Sequence, residues 1–247
     1  MMLSKLDCIN AITAWNLTRK KFSLIQKVMH PSQVFKFTPK NGEWIKTHSE
    51  YPFFHAYLGV YKNELILIAV PLNAKGQEIN LTNYTYASYG KLEQQVTLLE
   101  SSIIEKRRSA VLSEDMEVLQ LNKQFLSAPE GYPKITEEHT IDELLNWKYN
   151  GTSWLFAEAS EFNGDRIVQA FNIPTADVIQ DENTHTVYGF FGLKTSLVYN
   201  RLIPVLIFVH HFEDDRAGSV LKTIGNQLDF SKPCPPFCEL KYTFKLL

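Results

Sequence analysis

Apolar positions along the chain recur with two different periods, and the change from one period to the other marks out the elements. Ile9, Ile12 and Trp15 fall at helical spacing, whereas Phe53–Tyr61 and 64–72 are short runs dense in β-branched and aromatic residues that predict two strands of a hairpin. A strand at 34–38 precedes them. The same succession returns later. Ile141, Leu144 and Trp147 predict a helix over about 141–148, followed by a strand at 166–171 that Pro174 interrupts. Thr175 then caps a short helix ending near Gln180, and 186–193 with 202–210 form a second hairpin. Both hairpins are apolar at nearly every position, so each is expected to be covered on both faces.

This recurrence reads as an internal duplication. Phe54-His55-Ala56-Tyr57-Leu58-Gly59-Val60 aligns with Val187-Tyr188-Gly189-Phe190-Phe191-Gly192-Leu193, Trp15 aligns with Trp147, and the run 63–72 aligns with 200–209 after a short insertion. The expected fold class is therefore α+β, with two tandem related units, each an antiparallel sheet with an N-terminal helix. Between them Leu92, Val96, Leu99 and Ile103 match a helical stripe, and Ser113 with Glu114 and Asp115 reads as a second helix start. That segment is expected to be a helical linker packed back on the sheets, with dimerisation as its functional alternative. The Pro- and Gly-rich run Pro129-Glu130-Gly131-Tyr132-Pro133 sets the expected domains at 1–128 and 129–247.

The second unit closes on Asp229-Phe230-Ser231-Lys232-Pro233-Cys234-Pro235-Pro236-Phe237-Cys238. With the preceding Asn172-Ile173-Pro174 strand end and the aromatic-Phe-Gly strand, this closing stretch resembles an uncharacterised Bacteroidetes family of small α+β proteins that end in a Cys-Pro-Pro-x-Cys motif. The resemblance covers residues 141–238 and implies a fold unit and a bacterial source, without an activity. Residues 1–125 would be a divergent copy whose stretch after the hairpin, 78–84, has no cysteines.

Composition narrows the function classes more than it chooses among them. The 247 residues are 45% hydrophobic and 21% charged, an ordinary globular balance. With 25 Lys and Arg against 27 Asp and Glu, and no basic stripe beyond Lys106-Arg107-Arg108, nucleic acid is not an expected partner. No window is long and apolar enough to span a membrane and no cleavable leader stands at the start, so the expectation is a cytoplasmic monomer or homodimer with an unidentified protein or small-molecule ligand.

In such a compartment Cys8, Cys234 and Cys238 are expected as thiols. Cys234 and Cys238 then leave three readings: a stiff proline-rich surface loop, a disulfide or redox-sensitive pair, or two ligands of a metal site to which His210 or His211 adds one more. Pro235-Pro236 rules out a regular helix opening at these cysteines, as a thioredoxin-like pair would need. His210, His211, Glu213, Asp214 and Asp215 form the densest polar cluster and the best candidate for metal or acid–base chemistry, although adjacent strand residues point apart. No nucleotide loop, nucleophile elbow or zinc-protease helix occurs, so no cofactor is expected. The leading reading is a non-catalytic binding or interaction protein with its ligand at the joint of the repeats, around His55, Tyr57, Tyr188 and Phe190. A metal-assisted hydrolase using that joint or the loop 210–215 is the alternative.

Overall fold

The computed structural model describes residues 1–93, 95–101, 106–125, 140–179, 186–196, 199–211 and 232–235. The first half contains β1 (Met2–Ser4), α1 (Lys5–Thr18), α2 (Phe22–Val28), β2 (Gln33–Phe37), α3 (Pro39–His48), β3 (Phe53–Tyr61), β4 (Glu64–Pro71) and β5 (Asn83–Lys91). A separate meander of β6 (Val96–Ser101), β7 (Lys106–Leu112) and β8 (Val118–Phe125) follows. The second half contains α4 (Thr140–Phe162), β9 (Ala170–Pro174), a single 3-10 turn (Thr175–Asp177), β10 (Thr186–Ser196), β11 (Arg201–His211) and β12 (Lys232–Cys234).

Local chemistry explains several of these limits. Ser4 accepts a hydrogen bond from the Asp7 backbone N–H at 3.2 Å and so caps α1. Thr38 precedes Pro39 at the start of α3, and its backbone N–H donates to Asn41 Oδ1 at 2.8 Å. The β3–β4 hairpin turns through Lys62 and Asn63, both at positive φ, the backbone that a tight two-residue hairpin needs.

The strands do not form two separate sheets. Nine of them make one antiparallel sheet in the order β11-β10-β2-β5-β4-β3-β9-β12, with β1 added on β5, and its two ends, β11 and β12, approach each other. The sheet therefore wraps nearly into a closed barrel. This corrects the expected α+β arrangement of two tandem units, because strands of one half pair with strands of the other. β2 pairs with β10 through Phe35↔Gly189, and β3 pairs with β9 through Ala56↔Phe171. Each half alone would leave two strand edges with unpaired backbone groups, and this exchange satisfies both.

The pairings repeat when the halves are exchanged. β2, β3, β4 and β5 take the places of β9, β10, β11 and β12, with His55 opposite Val70 in one hairpin and Tyr188 opposite Val209 in the other. The longer second hairpin thus shifts the correspondence of β4 and β11 by two residues from the one the sequence suggests. Gly59 and Gly192 also hold equivalent places. A Cβ on Gly59 would lie 3.0 Å from the Ala11 Cβ of α1, and one on Gly192 would lie 3.3 Å from the Glu143 Cβ of α4, so both glycines let a helix lie close on the outer face.

Inside the barrel, alternate strand positions bury one core that includes Phe35, Phe37, Phe54, Phe171, Phe191 and Phe208. Each such ring contributes about 1.5–3 kcal/mol by leaving water. Trp15 and Trp147 carry α1 and α4 into this core, and Trp147 stacks on Phe191 at 4.7 Å between centroids. Outside, α1 covers Tyr57, Ile66, Ile68 and Val70, while Ile141 and Leu144 of α4 join Val96, Ala110 and Leu112 over Tyr188, Phe190 and Val209.

The segment after β5 is strand where a helical linker was expected. Val96 and the alternating pair Ala110 and Leu112 are buried, while Leu119, six residues beyond the helix start expected at Ser113, is 54% exposed. A short apolar run with β-branched residues satisfies either period, and pairing β6-β7-β8 lets it bury one face against the barrel. The helix expected at 141–148 runs on to Phe162. The expected boundary at Pro129–Pro133 lies outside the described residues. Among those described, no helix is long and apolar enough to cross a membrane.

Candidate functional site

Polar groups collect at several places among the described residues, and two of these places hold a histidine. The first lies on the outer face of β3, where alternation brings His55 and Tyr57 to the same side. The loop after β4 is pinned by the Leu72↔Glu78 bridge and by the Ile79 N–H donating to the Pro71 carbonyl at 2.9 Å, and this carries Glu78 over both residues. Glu78 Oε1 lies 2.6 Å from His55 Nδ1 and accepts the Tyr57 hydroxyl at 2.6 Å. With Glu78 ionised, the His55 proton resides on Nδ1. Asn172 of β9 faces His55 across the strand pair, and two buried oxygens here, Glu78 Oε2 and Asn172 Oδ1, have no hydrogen-bond partner among the described residues. A carboxylate that orients an imidazole is a recurring acid–base arrangement. Here the His55 and Glu78 side chains are only 5% and 7% exposed, so the trio is packed under the loop and serves to hold it.

The second place is a cavity of about 390 Å³ at the start of β2, lined by Gln26, Lys27, His30, Ser32, Lys91 and Asp115 among others. It is assembled from α2, the β2–β5 pair and the β7–β8 turn. Lys148 of α4 ties these parts together: its Nζ donates to the Asp115 carbonyl at 2.6 Å and to Ser32 Oγ at 3.1 Å, and it pairs with Glu117 at 2.9 Å. Ser32 is fixed in turn by its backbone N–H, which donates to His30 Nδ1 at 3.2 Å. That bond places the neutral imidazole proton on Nε2.

The four residues expected at a shared ligand site are not brought together. His55 and Tyr57 lie with Glu78 on the first half's outer face, and Tyr188 and Phe190 are buried on the second half's outer face beneath the meander. Of the expected metal ligands, His210 and His211 stand in β11 opposite Val187 and Thr186 of β10, while Cys234 stands opposite Ala170 of β9. Cys234 is disulfide-bonded, so its sulfur is not a free thiolate, and it belongs to a barrel strand rather than a surface loop. Cys238 and residues 212–215 lie outside the described residues. Among those described, no group of three or more His, Cys, Asp or Glu is arranged to hold a metal ion. Cys8 is a free thiol on the buried face of α1, pushed up to about 12 by burial first and by the Asp7 carboxylate second, which keeps it protonated and unreactive.

Sequence reasoning missed Glu78, which sits in a polar loop that reads as solvated. It also missed the cavity, whose residues come from four separate elements and share no motif. No family model, curated protein or solved structure matches the chain.

Proposed function

We propose that the chain is a non-catalytic binding protein whose ligand occupies the cavity between α2, the β2–β5 pair and the β7–β8 turn. The observation that carries this is a contrast. His55, Tyr57 and Glu78, the group best suited to acid–base chemistry, are bonded to one another and nearly sealed, whereas the cavity is open and ringed by side-chain donors. Its volume falls within the range of about 300–1,000 Å³ common for small-ligand sites. A disulfide at Cys234 further suits an oxidising compartment better than the cytoplasm expected from the sequence.

The test is a thermal-shift screen of the full chain against a broad set of small molecules, repeated on Gln26→Trp. Gln26 is exposed on α2 and lines the cavity, so the larger ring fills space without disturbing the core. A bound ligand at 100 times its Kd raises stability by about 2.7 kcal/mol, and Gln26→Trp should abolish that shift. Stabilising ligands that ignore Gln26→Trp would place the site elsewhere, and turnover of any screened compound would reject the non-catalytic reading.

A further inference from the structure

We infer that the cavity selects a small oxyanion, a carboxylate or phosphate group carried on a compact molecule; this rests on the binding reading above. Lys27 and Lys91 line the cavity, and neither forms an ion pair among the described residues. Nearby lysines are not left so: Lys36 pairs with Glu93, and Lys148 with Glu117. Two lysines lining one concavity without an ion-pair partner among the described residues raise its positive potential, and a bound anion lowers it.

The uncharged groups add to the same preference. The His30 tautomer fixed by the Ser32 N–H presents Nε2–H as a donor, and the Ser32 hydroxyl, which accepts from Lys148, keeps its own proton to donate. Gln26 brings an amide that adapts to either polarity. One group opposes: the Asp115 carboxylate also lines the cavity, while its backbone carbonyl is held by Lys148. The lining therefore combines two lysines with one carboxylate, which favours a molecule that carries an oxyanion together with a hydroxyl or amine. Charge-assisted bonds from ammonium to oxyanion are about twice as strong as neutral ones, so the two lysines dominate the choice.

The experiment is calorimetric titration of the full chain with inorganic phosphate, with citrate and with a neutral sugar, at low and at physiological ionic strength. The comparison set is Lys27→Ala, Lys91→Ala, the double variant, Asp115→Asn and Gln26→Trp. Both lysines are exposed, so circular dichroism and Tm should match the parent. Phosphate or citrate should bind, about 3- to 10-fold more weakly in each single lysine variant and more than 10-fold more weakly in the double. Binding should weaken with salt, tighten in Asp115→Asn and vanish in Gln26→Trp. Response to phosphate alone would assign a phosphate ligand, and response to citrate alone a carboxylate. If neither anion binds, or if binding ignores the double variant, the oxyanion inference is overturned. The neutral arm separates the two claims: a neutral ligand lost in Gln26→Trp but indifferent to the lysines leaves the binding reading standing. Loss of neither kind in Gln26→Trp removes both.

Discussion

The first half of the barrel closes its outer face with α1, with Trp44 of α3 and with the loop that carries Glu78, and the second closes the equivalent face with a helix and a three-stranded sheet. In the first half the strand positions facing out carry His55 and Tyr57, both bonded to Glu78 of the covering loop; beneath α4 and the meander the equivalent positions carry Tyr188 and Phe190 in an apolar cluster. Equivalent strands thus support different coverings. The difference teaches that the barrel itself is common property, held by pairing and the inner core, while each outer face has been filled with what its own cover requires. A polar group needs a loop to bond it, and an apolar face needs more covering area.

The strongest way to break this comparison is to separate the halves. Residues 1–128 expressed alone should be unfolded or aggregated, and so should 129–247, because each loses the partners of two strands in the shared sheet. Circular dichroism and size-exclusion chromatography check this, and mixing the fragments should restore a cooperative melt. Two stable monomers with no mutual affinity would mean that the single sheet is not what holds the chain.

The legibility of the fold followed the same division. Both hairpins were readable, because runs such as Phe54–Val60 and Val187–Leu193 are buried on both faces and leave little choice of structure. Which edge each hairpin would pair with was not readable. Phe35↔Gly189 and Ala56↔Phe171 are contacts between residues more than a hundred positions apart, and nothing local at either end specifies the partner. The meander was misread because Leu92 and Val96 fit a helical stripe as well as an edge of strand. At the candidate sites, His55 was visible as a polar residue within an apolar run. Glu78 and Lys91 were not, since a charged residue in or beside a loop carries no sign of what it faces.

The connections after β2 and after its counterpart β9 offer a sharper contrast. Register places Asn41 and Asp177 at equivalent positions, both only 2% exposed. Asn41 donates to Thr85 Oγ1 at 2.6 Å and to the Tyr86 carbonyl at 3.0 Å, so its amide is satisfied. Burial pushes the Asp177 carboxyl from 3.8 up to about 7. In the unfolded chain this group ionises near its ordinary value, so the native state holds its proton over a range in which the unfolded state has lost it. Stability from this residue is therefore full below about pH 4, declines as the pH rises toward 7, and stays low above that. Asp177→Asn should raise stability at pH 8 by about 1–4 kcal/mol and by much less at pH 4. Chemical denaturation across that range gives the answer, and a gain independent of pH would show that the carboxyl's ionisation is not the cause.

Gly59 and Gly192 test whether the two helices are equally close. Gly59→Ala should cost about 1–3 kcal/mol, since the new methyl meets both the Ala11 side chain at 3.0 Å and its backbone carbon at 3.3 Å. At Gly192 the nearest atoms are Ile207 Cδ1 at 2.9 Å and Val205 Cγ2 at 3.0 Å; both belong to side chains, the Ile207 tip can swing aside and no backbone atom is among the near contacts, so Gly192→Ala should cost less. Ala11→Gly should restore part of the loss at Gly59 and none at Gly192. Equal costs, or rescue at both sites, would mean that helix approach does not distinguish the halves.

The smallest effect is expected from the two tryptophans that carry the helices into the core. The Trp15 Nε1–H donates to the Val168 carbonyl at 2.9 Å, while the buried Trp147 Nε1 has no hydrogen-bond partner among the described residues. Both rings are fully enclosed, so changing either to Phe opens a similar void and removes similar apolar area. The polar part differs in sign. Trp15→Phe loses a hydrogen bond and strands the Val168 carbonyl, whereas Trp147→Phe removes a donor whose burial is uncompensated. Trp15→Phe should therefore be the more destabilising by about 1 kcal/mol, read as a difference between the two denaturation midpoints at equal slope. If Trp147→Phe proves equal or worse, its indole N–H has a bonded partner in solution, such as a bound water, and the asymmetry between the halves at this position disappears.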